Sequence, residues 1–430
     1  MDLQAIVVIL TLFIILMAFF SQTKIDYFPI GLIIGAIAVV FMLDSGLNKI
    51  DILGFINFET LIFIFAMQII IFFATENKVL EYIAIKLIHV TKGNNRVFFY
   101  IICTFTATIV AFIEDLSLSL ILVPLIYRTC KVLKIPAGTY LMGMTITINI
   151  GAILTPISSL KNLIISEEFG WGFGEYFANM GLLFLFTLII TLFLLDWFIL
   201  RKEESPTKEN KKILLSVLKP NIVIEDKKYF YITAVVVIAT FVFMFLGYQP
   251  ALVTIVSAAF LLLINSKKME FSELRDEINF RIIILIGILF ILSNSLAKFG
   301  FSAFISESLV ALIGDNLYLA VFSVLVISSV LSAFLAGTPV TIMLLPIFSG
   351  IIGQSFFPNP IIIAFIGGVN MAGNFLPQGS ACDLLTLTLA KKHNVENLDY
   401  RRLLKNGGFF AVLHFLAIFV YTMFYSLIFG

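Results

Sequence analysis

Four interruptions in an otherwise apolar chain carry the residue types that could hold an ion. The first reads Ile113-Glu114-Asp115-Leu116-Ser117-Leu118-Ser119. The second runs from Asn149-Ile150-Gly151 through Thr155-Pro156-Ile157-Ser158-Ser159 to Lys161-Asn162. The third is Ala336-Gly337-Thr338-Pro339, and the fourth spans Asn370, Gly373-Asn374, Pro377 and Gly379-Ser380, followed by Cys382-Asp383. Breaking a helix inside a bilayer frees backbone donors and acceptors that cost several kcal/mol each if nothing takes them up. A bound ion can take them up. Half-helix N-termini near Ser117, Ser158, Thr338 and Gly379 would present N–H groups to an anion, and the opposing C-terminal ends would present carbonyls to Na⁺.

Glu114 and Asp115 are the sharpest signal, because a carboxylate at mid-bilayer costs about 2.5–3.5 kcal/mol on insertion scales. They are expected to load H⁺ or Na⁺, the only cofactor-like species the chain calls for. Asn149, Thr155, Ser158, Ser159 and Asn162 are expected to line one half of the site. Asn370, Asn374, Gly379, Ser380 and Asp383 are expected to line the other. Against three acids, Glu114, Asp115 and Asp383, the break holds one base, Lys161, a balance that leans toward a cation. His414, alone in the last apolar run, reads as a hydrogen-bonded packing residue, and Cys382 as a small apolar filler. The three cysteines offer neither a disulfide framework nor zinc-ligand spacing.

The elements that must position these residues follow from composition. Of 430 residues, 60% are hydrophobic and 13% charged, with a mean hydropathy of +1.07. Soluble domains carry about 25% charged residues. Water-soluble enzymes, nucleic-acid binders and disulfide scaffolds are thereby excluded, and an all-α polytopic membrane protein remains. Ten spans are expected near 3–20, 28–43, 57–75, 139–165, 176–200, 229–247, 250–264, 280–297, 361–390 and 407–428. Asp2 stands where a signal peptide has its basic residues, so the first run reads as a retained helix. Segments 97–127 and 317–346 are too long for one helix and broken in the middle. Each reads as a re-entrant hairpin that turns at mid-depth. Segments 78–91 and 298–312 read as amphipathic helices in the interface.

With the N-terminus outside, nearly every Lys and Arg falls on the inner side, including the basic loop 201–228; Lys49 and Lys298 are the exceptions, and Lys161 lies in a break. The chain also repeats. Ile56-Asn57-Phe58 recurs as Ile278-Asn279-Phe280, and the same offset pairs Ala111-Phe112 with Ala333-Phe334 and Pro124 with Pro346. One deletion later, Asn149 pairs with Asn370 and Pro156 with Pro377. Residues 1–200 and 229–430 are thus two repeats joined by a cytoplasmic linker, 201–228. Five spans and one hairpin each, an odd number of crossings, would make them inverted, as in secondary transporters.

The stretch Ala111-Phe112-Ile113-Glu114-Asp115-Leu116-Ser117 to Val123-Pro124, then Asn149-Ile150-Gly151, resembles the first signature of the ion transporter superfamily. Asn370 to Asp383 resembles its second signature. That group includes arsenite permeases, citrate-type carboxylate transporters and one class of sodium/proton antiporters, and the likeness runs over about 25–425. It implies an elevator mechanism, hairpins and broken helices sliding against a scaffold, often within a homodimer. Departures at Glu114-Asp115, Ala336-Gly337 and Asp383 leave the substrate open. The expected function is secondary active transport of a small inorganic or carboxylate ion across the cell membrane, coupled to H⁺ or Na⁺. The alternatives are a Na⁺/H⁺ antiporter, a passive channel or an integral-membrane enzyme. With no phosphate-binding loop in the sequence, primary pumping would need a separate ATPase subunit.

Overall fold

A computed structural model describes residues 27–113, 115–203, 205–217, 223–266, 271–334, 337–353 and 357–429. The described residues are helical throughout, joined by short turns. The first half contains α1 (Tyr27–Asp44), α2 (Lys49–Leu53), α3 (Phe58–Glu76), α4 (Val79–Val90), α5 (Asn95–Ile109), α6 (Asp115–Leu133), α7 (Ala137–Gly151), α8 (Leu160–Glu168) and α9 (Phe173–Phe198). A linker helix, α10 (Lys208–Val217), follows. The second half contains α11 (Lys227–Phe245), α12 (Pro250–Asn265), α13 (Phe271–Glu277), α14 (Phe280–Lys298), α15 (Phe301–Ile313), α16 (Leu317–Phe334), α17 (Gly337–Ile352), α18 (Asn359–Met371), α19 (Ala381–Lys392) and α20 (Tyr400–Phe429). Six helices are long and apolar enough to cross a membrane among the described residues, and several shorter apolar helices accompany them. The protein is a multi-pass membrane protein. The expected first span, 3–20, lies outside the described residues.

Local chemistry sets the same boundaries in both halves. Asn57 caps α3 by accepting the Thr60 N–H at 2.9 Å, and Asn279 caps α14 by accepting that of Ile282 at 3.2 Å. Lys78 (φ 60°) and Gly300 (φ 77°) turn the chain through the left-handed region into α4 and α15. α5 ends before a turn at 110–113 and α6 begins at Asp115, while α16 and α17 lie on either side of 335–336. Pro124 and Pro346 sit inside their returning arms, α6 and α17. The expected spans 139–165 and 361–390 are each split, at 152–159 and at 372–380. Two features differ from the expectation. Short helices α2 and α13, too brief to show a period in the sequence, precede α3 and α14. The linker is also not plain loop: α10 packs on α6, with Asn210 Nδ2 donating to Leu133 O at 3.2 Å.

The halves hold each other reciprocally. α1 packs on α14, and its counterpart α12 packs on α3, the counterpart of α14. α6 packs on α19, and α17 packs on α8 in the same exchange. At the centre lie α7, buried at every position, and α18, buried from Pro360 to Met371. Small residues permit this closeness. A Cβ on Gly151 would lie 2.1 Å from Ala107 O, and one on Gly368 would lie 2.0 Å from Ser328 Oγ.

Candidate functional site

The two broken helices meet in the interior and brace each other through their asparagines. Asn149, near the end of α7, donates from Nδ2 to Asn374 Oδ1 in the second break at 2.9 Å. Asn370, near the end of α18, donates from Nδ2 to Asn162 Oδ1 at the start of α8 at 2.5 Å. All four are at least nine-tenths buried. In a low-dielectric interior such pairs are strong when complete and costly when broken.

Each break closes its own freed backbone differently. In the first, Ser158 Oγ donates to Ala152 O at 2.5 Å and to Thr155 O at 2.6 Å, Asn162 Nδ2 donates to Ala152 O at 2.5 Å, and Thr155 Oγ1 donates to Ala111 O in the hairpin turn. Thr155, Ser158 and Asn162 thus spend their donors on the backbone that the break exposes. Ser159 stands before α8 without capping it through its side chain. The second break is less closed. Ser380 Oγ and Asn370 Oδ1 are buried without a hydrogen-bond partner among the described residues. Gly373 packs closely against Asn149 and Ser380, since a Cβ there would lie 3.1 Å from both Asn149 Oδ1 and Ser380 Cβ. Gly379, in the turn before α19, lets the chain approach the C-terminal end of α16, where its Cβ would lie 2.9 Å from Ser332 O and 2.8 Å from Ala333 O. Asp383 is buried in the first turn of α19. Unclaimed oxygens and terminal carbonyls are ligands of the kind a hard cation takes.

Lys161, the base of the first break, reaches across and donates to Val369 O at 2.9 Å, an oxygen that also accepts from Ser332 Oγ at 2.9 Å. Thr338 lies half-buried in the first turn of α17, near Gly337, whose Cβ would lie 3.0 Å from Lys161 Nζ. Glu114 is outside the described residues, as are the side chains of Asp115 and Ser117. His414 is the hydrogen-bonded buried residue that the sequence led one to expect. It is fully buried, with Nε2 2.8 Å from Thr191 Oγ1 and Nδ1 3.4 Å from Asn374 Nδ2. Cys382 lies 2.9 Å from Ser119 Oγ, where α19 meets α6. Ser332 is a further polar residue at the site that the motifs did not mark. Its signal was the run Ser328-Ser329 and Ser332, helically spaced within an apolar span.

A family profile of citrate transporters matches residues 5–368. The chain belongs to the citrate transporter family. Curated relatives agree with that placement across nearly the whole chain. A protein of Methanocaldococcus jannaschii named an uncharacterized transporter is 24% identical over 93% of this chain and 98% of its own length. A 46 kDa membrane protein of Mycobacterium leprae is 22% identical over 90% of this chain and 91% of its own. Among solved structures, the Alcanivorax borkumensis YdaH transporter aligns with a TM-score of 0.60 over 99% of both chains at 10% identity. At that identity the likeness is one of fold. This family member is a membrane transporter, as its relatives are named, and the family points away from an enzyme.

Proposed function

We propose that the protein is a secondary active transporter of a small inorganic or carboxylate ion, coupled to H⁺ or Na⁺. The observation that carries this reading is the meeting of two broken helices whose asparagines cross-brace, Asn149 to Asn374 and Asn370 to Asn162, beside unclaimed buried oxygens. A site made by two related breaks is accessible to alternate sides when one unit moves against the other. The reciprocal helix contacts support two inverted repeats, and the hairpins with α7–α8 and α18–α19 form the moving unit of an elevator.

In this reading Glu114 and Asp115 carry the coupling ion, and Ser380, Asn370, Asp383 and the Ser332 and Ala333 carbonyls complete the cation side. Ser117, Thr338 and Gly379 lie where half-helices begin and face the transported ion. Asn149, Asn374, Asn162, Thr155, Ser158 and Ser159 hold the breaks in shape. The N-terminus lies outside the cell membrane and the linker inside, because Lys131, Lys391, Lys392, Arg402 and the linker's own bases share one side. Purified protein in proteoliposomes tests the proposal. Glu114→Gln combined with Asp115→Asn is expected to abolish ion flux driven by a H⁺ or Na⁺ gradient while leaving a folded, monodisperse protein. Undiminished gradient-driven flux would remove the coupling assignment.

A further inference from the structure

The polar chain that ends on His414 has a direction. Asn149 Nδ2 donates to Asn374 Oδ1, which leaves Asn374 Nδ2 to face His414 Nδ1. An amide nitrogen only donates, so Nδ1 must be the accepting, unprotonated nitrogen. A neutral imidazole then carries its proton on Nε2, from where it is donated to Thr191 Oγ1. With the amides placed this way, every contact in the chain has one donor and one acceptor. With its nitrogen committed to Asn374, Asn149 turns its oxygen the other way. That oxygen lies against Gly373, beside Ser380, whose buried hydroxyl has no hydrogen-bond partner among the described residues.

The opposite tautomer would reverse the sense of the whole chain. Nδ1–H would donate to Asn374 Oδ1, and the Asn374 nitrogen would face Asn149. Asn149 would then have to accept with its oxygen and turn its NH₂ toward Gly373 and Ser380. No backbone atom moves in this exchange, yet an oxygen ligand suited to a cation becomes a donor suited to an anion. We propose that His414 is a positioning residue that determines which atom Asn149 presents to the break, and that in this arrangement the atom presented, an oxygen beside Gly373 and Ser380, is a ligand for a small alkali cation. The inference rests on the proposed function for the cation side, and goes beyond it by assigning the control of ion sign to a residue that does not touch the ion.

Side-chain isosteres separate this role from packing. Asparagine at 414 can place an oxygen where Nδ1 stands and keep an acceptor for Asn374. Glutamine reaches the position of Nε2 and keeps Thr191 but leaves Asn374 without an acceptor. The full-length protein in detergent is titrated with NaCl against choline chloride, and its unfolding temperature is followed. His414→Asn and Thr191→Val are expected to keep the wild-type Na⁺ midpoint, whereas His414→Gln moves it up by about tenfold or more, the scale of one lost polar contact. Equal midpoints for His414→Gln and His414→Asn would overturn the proposal.

A second measurement does not depend on Na⁺ binding. In protein labelled with ¹⁵N-histidine, which has three histidines in all, the ring signal lost in His414→Gln belongs to residue 414. An unprotonated Nδ1 is expected, and a protonated one overturns the chain's direction. An unprotonated Nδ1 in a protein that ignores Na⁺ supports the direction and overturns the cation reading of the proposed function.

Discussion

The two halves share an order of elements but not a set of contacts. At the end of α8, Glu167 accepts from Asn57 Nδ2 at 2.6 Å and from Thr60 Oγ1 at 2.8 Å, tying the first broken helix to the start of α3. The corresponding place in the second half is Thr388, which is exposed and, among the described residues, donates within its own helix to Leu384 O at 2.8 Å. The hairpins differ in the opposite sense. The returning arm α17 packs on both α14 and α15, with Ser293 Oγ donating to Ile342 O, whereas α6 packs on α4 without a comparable contact to α3. Under the elevator reading proposed above, such unequal surroundings would belong to one end-state. That reading predicts that in the opposite state α6 closes on α3 and α17 releases α14.

The largest expected effect comes from the small residues that let the central helices approach. Gly151→Ala drives a Cβ to 2.1 Å from a backbone oxygen, Ala107 O, which cannot rotate away. Gly368→Ala meets Ser328 Oγ at 2.0 Å, a hydroxyl with other rotamers. Gly151→Ala should fail to give folded protein on size-exclusion chromatography, while Gly368→Ala is recovered with a lower unfolding temperature. Equal loss in both would show that the halves are packed alike.

Removing the tie at α8 comes next. Hydrogen bonds to a charged group contribute about 1.5–3 kcal/mol, so Glu167→Ala should lower the unfolding temperature by several degrees and speed gradient-driven exchange, because it frees one end-state. Glu167→Gln, which retains an acceptor, should lower it less. Thr388→Ala, the counterpart, should change neither reading. A Thr388→Ala effect as large as that of Glu167→Ala would erase the asymmetry.

The smallest effect is expected at the joint between halves. Burial pushes the Glu203 carboxyl up from its ordinary range, against the opposing pull of Thr139 and of Arg402, which itself donates to Thr139 Oγ1 at 2.9 Å. A carboxyl raised in the folded state binds a proton there that the unfolded chain has released. Its contribution to stability is therefore present at low pH and is lost as pH rises through the raised value. Glu203→Gln should remove that loss, so its unfolding temperature should exceed that of wild type slightly at pH 8 and match it near pH 4. The reverse order would mean that the Arg402 attraction outweighs burial.

Much of this architecture was written in local pattern. Breakers in the middle of runs too long for one helix, at Glu114-Asp115 and at Gly337-Thr338-Pro339, marked where those runs divide into two helices, because they conflict with the helical period around them. The repeated Ile-Asn-Phe triplet marked two starts because an asparagine caps each helix there. Partnership was not legible. Asn149 and Asn370 occupy matching positions, but nothing local says that Asn149 meets Asn374 while Asn370 meets Asn162. Thr155, Ser158 and Asn162 looked like ligands because they are polar residues in an apolar break, and the same polarity serves to close the backbone. His414 gave no sign of its second contact, since α9, the second break and α20 come together only in the folded protein.

The exchange of helices between halves bears on how such a protein is made. α1 finds its partner in α14 and α3 finds its partner in α12, so a ribosome that has delivered only the first two hundred or so residues has released helices whose mates do not yet exist. Those faces must wait in the lipid, or under an insertion chaperone, until translation is nearly done. Either half supplied alone should be degraded, and two separate messages should restore the protein only when expressed together.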